Sequence, residues 1–299
     1  MNKTIVLTGS VGSLKAACIM AGTFYAAKEK GYNIVSMVGA SGSSIAVPIL
    51  SMNTPKETFV ELLSSINVKR VKDYDFVQQG VDVIRAKIGM KRKGDEPFTG
   101  ILRGNGLRSE LLKIYRKIKC TRFEHGQIPF YVVATLLAQE NENSPDAETG
   151  KEVIFSTGDI MGPIRASTSI PIVFRPEFIK GVGTLADAGI VDAVPIWPAV
   201  YKMKKNCDVV IADATNDIFE NRIYSRDLDT IIDIAIAGCR ATVRDSSIIR
   251  MERAVETLAK FGASLQHIKP DNVKIKMFEV EKVAEATENA YQYALKTLL

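Results

Sequence analysis

Short apolar runs alternate with longer stretches of helical periodicity along the first part of the chain. Residues 3–8 and 34–38 are β-branched, apolar runs of the length of a buried strand. Between them, the alanine-rich residues 13–30 predict a long helix that stops at Gly31, because glycine is favoured just past a helix C-terminus. A strand, a helix and a second strand in this order predict two parallel strands joined by a right-handed crossover.

The alternation continues to the end of the chain. Further strands are predicted at 130–136, 152–155, 207–212 and 273–280, and further helices after Pro55, at about 107–118 and within 226–262. Strands and helices that alternate over the whole length are typical of one α/β domain, here residues 1–299. We expect a three-layer α/β/α fold with a mostly parallel central sheet. Residues 216–299 are expected to be its mainly helical C-terminal part.

Residues 67–105 interrupt this pattern, since they are basic, rich in glycine and show little periodicity. They predict an inserted lid rather than part of the sheet. The basic runs 69–72 and 87–93 carry much of the net charge of +5. Such runs are either a solvated loop or a surface that attracts anionic lipid or nucleic acid. No RNA-binding motif or zinc finger accompanies them, so nucleic acid is not expected as a partner, and peripheral contact with an anionic membrane is the functional alternative.

Composition narrows the class of protein further. The 299 residues are 46% hydrophobic, which suits a globular core, and no apolar run reaches the ~18–20 residues of a membrane-spanning helix. The N-terminus lacks the long apolar core of a secretory signal. The four cysteines are scattered without a C-x-x-C pair, which favours a reducing, cytoplasmic compartment over a disulfide framework or zinc site. No metal or organic cofactor is expected.

A serine stands at the apex of a glycine-rich turn directly after the second strand. The turn reads Gly39-Ala40-Ser41-Gly42-Ser43, and the small and apolar residues 44–47 then predict the start of a helix. A strand, a sharp turn and a helix form the nucleophile elbow, which exposes a serine hydroxyl. The N–H groups at the helix N-terminus lie where a developing oxyanion needs them. Ser41 is therefore the candidate nucleophile of a serine hydrolase.

A serine nucleophile needs a base and an oxyanion site. An apolar stretch ends at Asp187, whose neighbours Ala186, Ala188 and Gly189 are small enough to admit a close approach. The alternative is a turn-forming aspartate, because Asp-x-Gly is common in turns. The loop 9–12, Gly-Ser-Val-Gly, between the first strand and the first helix presents backbone N–H groups to an anion. That anion is either an oxyanion or a nucleotide phosphate.

The order of these features resembles the patatin-like phospholipases. That family has a glycine-rich loop after the first strand, G-x-S-x-small after the second, and an aspartate motif far downstream. The block Arg165–Pro176 is similar to the family segment S-x-I-P-x-x-F-x-P, and Asp187–Pro195 to D-G-G-x-x-x-N-x-P. The resemblance covers roughly residues 3–215.

The resemblance implies a patatin-like fold and a Ser-Asp dyad that works without histidine. Ser41 would attack an acyl ester of a phospholipid or related lipid, and Asp187 would be the general base, as in a phospholipase A that forms an acyl-enzyme. The backbone of the first loop and of the elbow would hold the oxyanion. The residues assigned to this oxyanion hole are Gly9, Ser10, Gly12 and Gly42.

Two positions depart from the family pattern. Ser43 stands where the family usually has glycine, a variant that resembles the cytosolic phospholipase A2 branch. The first loop reads Gly-Ser-Val-Gly-Ser-Leu-Lys over residues 9–15, where the family reads G-G-G-x-R/K-G. Lys15 takes the place of the basic residue, and which N–H groups form the hole is left open.

Three other functions remain as alternatives. A Ser-Asp-His esterase would use His267, although its polar surroundings predict a solvated linker, and His125 likewise belongs to a predicted loop. A nucleotide-binding oxidoreductase would use the loop 8–12, but the third glycine and the acidic residue after the second strand are missing. A hydrolase fold kept for binding alone would lack activity, although both dyad residues are present.

Overall fold

The computed structural model describes residues 3–74, 100–140, 150–202, 207–215 and 248–299. The strands in these ranges are β1 (Thr4–Gly9), β2 (Asn33–Ala40), β3 (Gly100–Leu102), β4 (Phe130–Gln139), β5 (Lys151–Phe155), β6 (Ile172–Phe174), β7 (Glu177–Ile179), β8 (Gly183–Ala186), β9 (Asp208–Ala212) and β10 (Leu265–Ile268). The helices are α1 (Ser13–Glu29), α2 (Gly42–Ser51), α3 (Lys56–Ser64), α4 (Val68–Val71), α5 (Asn105–Lys117), α6 (Met161–Ser167), α7 (Ile196–Lys202), α8 (the described helical residues 248–260) and α9 (Val283–Thr297).

A mixed eight-stranded sheet lies at the centre. Its strand order is β10-β9-β1-β2-β4-β8-β7, and β5 pairs with β4 off this path. The five strands from β10 to β4 are parallel, whereas β5 and β8 pair antiparallel with β4, and β7 antiparallel with β8. Strands β3 and β6 form a separate parallel pair. The predicted α/β fold with a mostly parallel sheet is confirmed.

Helices cover both faces of this sheet. In β1, Ile5 and Leu7 pack into the core that holds α1, α2, α3, α5 and α9, while Val6 packs with α7 and α8 on the opposite face. Because side chains alternate along a strand, apolar residues at every position require a cover on each side. The continuous apolar runs thus account for the three layers.

Helix α1 is buried along most of its length. It is alanine-rich, and Gly22 lies so close to α9 that an added Cβ would be 2.5 Å from the Tyr291 backbone nitrogen. After the helix, Gly31 adopts a left-handed conformation with φ of 78°, as expected for a glycine past a helix end. The predicted strand, helix and strand of the first forty residues are confirmed.

The last strand was predicted at the wrong place. Strand β10 is Leu265–Ile268, and residues 273–279 form no strand. The alternating pattern of 273–280 comes from residues such as Val273, which packs into the core of α1 and α9, and Phe278, which lines a pocket. His267 consequently lies in the sheet and not in a linker.

Several predictions fall on residues outside the described ranges. Of the predicted insert 67–105, the structure describes the two ends, which hold α4 and β3, and residues 75–99 lie outside. Residues 226–247 of the predicted C-terminal helix and Cys239 also lie outside. The single-domain organisation over residues 1–299 stays a prediction. In the part of the chain that is described, no helix combines the length and the apolar character needed to cross a bilayer.

Candidate active site

The sheet brings the ends of two distant strands together. Residues 37–40 of β2 oppose 130–133 of β4, and Ala186 of β8 opposes Thr135 of the same strand. Strand β5 pairs with residues 132–136 along the opposite edge of β4. Strands β2 and β8 therefore lie one after the other along the same edge of β4. Strand β2 runs parallel to β4 and β8 runs antiparallel, so their carboxyl ends point at each other. The next residues along the chain are Ser41 and Asp187.

The side chains of these two residues are in direct contact. The Ser41 hydroxyl donates to Asp187 Oδ2 at 2.6 Å, and the residues are only 3% and 5% exposed. The second oxygen, Oδ1, accepts the Gly189 N–H at 2.8 Å. The backbone of Asp187 is also held, because its carbonyl accepts the Thr135 hydroxyl and its N–H donates to Ser169 O. This geometry suits direct proton transfer from Ser41 to Asp187.

Burial changes the acidity of Asp187. Loss of hydration raises its pKa from 3.8 to about 7, although the hydrogen bonds from Ser41 and the Gly189 N–H lower it. A carboxyl group with a pKa near the working pH is an effective general base, because it is partly ionised and still holds a proton well.

Ser41 adopts an uncommon backbone conformation at the elbow. Its φ is 51° and its ψ is −122°, a region that non-glycine residues seldom occupy. Its N–H donates to Ser167 Oγ at 2.8 Å, and its carbonyl accepts the Ser44 N–H at 3.0 Å. These bonds hold the hydroxyl above the N-terminus of α2.

Ser43 ties the ends of β1 and β2 together. Its hydroxyl lies 2.8 Å from both Gly9 O and Ala40 O, and it accepts the Ala40 N–H at 2.8 Å. Gly9 makes room for this side chain, since a Cβ at Gly9 would be 2.5 Å from Ser43 Cβ. The departure from the family pattern at Ser43 is thus accommodated by a glycine on the neighbouring strand.

The glycine-rich loop is arranged differently from what the sequence suggests. Gly9 is the last residue of β1, and the Ser10 N–H donates to Ala212 O at 3.1 Å. The Ser10 hydroxyl also binds the backbone, because it accepts the Ala214 N–H. Since its N–H already has an acceptor in β9, Ser10 is ill placed to bind an oxyanion.

Two helix N-termini border the candidate site instead. Ser13 and Leu14 of α1 line the same pocket as Ser41 and as Gly42, the first residue of α2. The first turn of a helix has N–H groups without intrahelical acceptors. In α1 the first helical bond runs from the Ala16 N–H to Gly12 O. The N–H groups of Ser13 and Leu14 therefore join that of Gly42 as candidate oxyanion donors.

An apolar pocket extends from Ser41. Its lining residues in the described ranges carry no charged side chain, and most are aliphatic or aromatic. They come from the two helix starts, from α4 and α5, from β6 and its preceding turn, and from residues 277–280. The apolar lining fits an alkyl chain better than a polar ligand.

Both histidines have partners outside the dyad. His267 Nε2 lies 2.6 Å from Asp213 Oδ2, and Asp213 is fully buried. His125 Nδ1 accepts the Thr121 N–H. The described residues include no group of three or more His, Cys, Asp or Glu side chains arranged to hold a metal ion. The structure corrects the expected linker position of His267, and it pairs this residue with Asp213 rather than with Asp187.

Sequence reasoning missed the residues that hold the backbone of the dyad. These are Thr135, Ser167 and Ser169, which bind the backbone of Asp187 or Ser41. The two serines lie in the block 165–176, which is visible in the sequence as a motif. The bond from Ser167 to Ser41, across 126 positions, is not visible in the sequence.

Comparison with known proteins identifies relatives. A family model described as Patatin-like phospholipase matches residues 10–200. An uncharacterized NTE family protein of Mycobacterium bovis is 27% identical over 195 residues, which are 65% of this chain and 44% of that protein. Uncharacterized NTE family proteins of two Mycobacterium tuberculosis strains match to the same extent. The match thus spans less than half the length of these curated relatives.

Two solved structures align with nearly the whole chain at low sequence identity. VipD from Legionella pneumophila aligns with a TM-score of 0.49 and 14% identity, over 99% of this chain and 66% of VipD. ExoU from Pseudomonas aeruginosa, in complex with SpcU, aligns with a TM-score of 0.39 and 14% identity, over 99% of this chain and 52% of that chain.

Proposed function

The chain belongs to the patatin-like phospholipase family, and from this premise we propose that it is a lipid acyl hydrolase of the phospholipase A type. Ser41 is the nucleophile and Asp187 the general base. The observation that carries the proposal is the 2.6 Å contact between Ser41 Oγ and Asp187 Oδ2 at the end of an apolar pocket.

The reaction proceeds in two halves. Asp187 Oδ2 takes the hydroxyl proton of Ser41 while Oγ attacks the ester carbonyl carbon. The tetrahedral intermediate collapses, the bond to the leaving alcohol breaks, and Asp187 returns the proton to that oxygen. Water then attacks the acyl-enzyme, with Asp187 accepting its proton. Ser41 Oγ leaves and regains the proton, which releases the carboxylic acid.

Backbone N–H groups stabilise the negative charge of the tetrahedral intermediate. In this proposal the donors are the N–H groups of Gly12 and Gly42 together with those of Ser13 and Leu14 in the first turn of α1. Gly9 and Ser10 are no longer included. Gly9 lies within the sheet between β2 and β9, and the Ser10 N–H is bonded to Ala212 O. The N-termini of α1 and α2 add the positive ends of two helix dipoles.

The pocket indicates the chemical class of substrate. An acyl chain fits between its apolar walls, and a charged head group stays outside because the described lining has no ionic partner for it. Helix α4 contributes Val68 and Val71 to the wall, while its Lys69 and Arg70 are exposed. These basic residues beside the pocket support the proposed peripheral contact with an anionic membrane.

A fluorophosphonate probe tests the proposed nucleophile. The probe should form one adduct, on the peptide that contains Ser41, and the same protein should hydrolyse a long-chain p-nitrophenyl ester. Labelled peptides are identified by mass spectrometry after digestion, with Ser41→Ala as the control that should not label. Labelling of another residue, or none, would favour a different nucleophile or a protein kept for binding alone.

The rate should depend on the ionisation of Asp187. Only the carboxylate can accept the Ser41 proton, and its pKa is raised to about 7. We expect kcat/KM to rise about tenfold per pH unit below this value and to level off above it. A pH–rate profile on a soluble ester between pH 5 and 9 measures this. A rate that stays constant down to pH 5 would contradict the assignment of the base.

A further inference from the structure

The strained backbone of Ser41 depends on one side chain from a distant part of the chain. The Ser41 N–H donates to Ser167 Oγ at 2.8 Å, across 126 residues of sequence. Ser167 is fully buried and Ser41 is nearly so. A buried N–H without an acceptor is costly, so this hydroxyl favours the conformation that the elbow requires. The bond leaves Ser41 Oγ free to donate to Asp187.

The same short segment also holds the base. Ser167 is the last residue of α6, and two residues later Ser169 O accepts the Asp187 N–H at 3.0 Å. The two residues of the dyad are thus each bonded through their backbone N–H to a segment of three residues. This segment is a second link between Ser41 and Asp187, besides the pairing of β2 and β8 with β4.

Arg165 fixes the segment in place. Its side chain is 2% exposed, and its Nη1 donates to Ser169 Oγ at 2.6 Å. Its other nitrogens donate to three carbonyl groups from neighbouring loops, those of Gly104, Arg103 and Arg175. A planar guanidinium with four acceptors in three segments has little freedom to move. The segment is therefore a rigid support for the dyad.

We propose that Ser167 is a positioning residue that holds the nucleophile elbow in its reactive conformation. Ser167 touches no reacting atom, and its effect passes through the backbone of Ser41. The role rests on the proposed function, because it requires Ser41 to be the nucleophile. Small displacements of reacting groups have large effects on rate, so the loss of this support should lower kcat more than it changes KM.

The test compares two buried serines. Ser167→Ala removes the acceptor, whereas Ser51→Ala removes an equally buried hydroxyl that donates to Pro48 O within α2. We expect Ser167→Ala to lower kcat and the fluorophosphonate labelling rate per folded molecule by about 10- to 100-fold, with KM changed by less than about threefold. Ser51→Ala should keep both rates near those of the wild type. Thermal unfolding establishes the folded fraction.

A second variant keeps the test decisive if Ser167→Ala does not fold. Ser167→Cys is nearly isosteric, but its sulfur is a weak acceptor, so it should also label slowly. Wild-type rates in either folded Ser167 variant would overturn the inference, as would an equal loss in Ser51→Ala. A wild-type protein that neither labels at Ser41 nor hydrolyses esters would overturn the proposed function, and this inference with it.

Discussion

Asp187→Asn is expected to lower kcat by about 10³- to 10⁴-fold, because the amide cannot accept the Ser41 proton. Asparagine has nearly the same shape, and its oxygen can still accept the Gly189 N–H that now binds Oδ1 at 2.8 Å. The binding pocket is unchanged, so KM for a soluble ester should stay within a few-fold of the wild-type value. Steady-state kinetics at pH 8, where the wild-type carboxyl is ionised, measure this effect.

Ser41→Ala serves as the matched comparison. If the two residues act as a unit, Ser41→Ala and the double variant should lose about as much activity as Asp187→Asn, without additivity. An Asp187→Asn variant that retains a tenth of the wild-type kcat would contradict the role of general base. His267→Ala should keep nearly the wild-type kcat in the same assay, since His267 is paired with Asp213 and not with Asp187.

Loss of activity in Asp187→Asn should not come from loss of stability. The folded-state pKa of about 7 is above the unfolded value near 3.8, so the native state holds the proton more tightly. The contribution of Asp187 to stability therefore falls as pH rises from about 4 to about 7, because the unfolded carboxyl ionises before the folded one. Asparagine avoids this cost, so the variant should unfold at the same or a higher temperature than the wild type at pH 8.

The fold was predictable where the apolar pattern of a strand reflects burial of both of its faces. Strands β1 and β2 are apolar at nearly every position because helices cover both faces, and α1 between them is followed by Gly31, whose left-handed conformation suits a glycine. Strand β10 escaped prediction because Leu265–Ile268 is short and half polar. The alternation of apolar and polar residues at 273–280 wrongly predicted a strand. Apolar residues at that spacing also pack against helices and line a pocket.

The site was predictable to the extent that it is local in sequence. The elbow at Ser41 and the turn at Asp187 each have a recognisable pattern, and their contact follows from β2 and β8 meeting on β4. The oxyanion donors depend on which N–H groups the sheet already uses, and the Ser10 N–H is bonded to Ala212 O, 202 residues later. Pairing between such distant segments leaves no local pattern, so neither this bond nor the support from Ser167 could be read from the sequence.

Gly42→Ala should lower kcat/KM by about 10²-fold or more, because it forces apart the two helix starts that border the nucleophile. A Cβ at this position would lie 1.6 Å from Ser13 O and 2.4 Å from Ser13 C, which are backbone atoms and cannot rotate away. Either α1 or the elbow must then shift, and the N–H groups of both helices lie at that contact. The hydrolysis rate and the thermal unfolding temperature are measured together.

Gly162→Ala provides the matched control for this substitution. Gly162 is the second residue of α6, and an added Cβ would meet only the flexible side chain of Ile179 at 3.4 Å. Alanine is a better helix former than glycine, so this variant should be as active as the wild type and no less stable. If Gly42→Ala were as active as Gly162→Ala, close apposition of α1 and α2 would not be needed for catalysis. The oxyanion would then have to be held by groups other than these two helix N-termini.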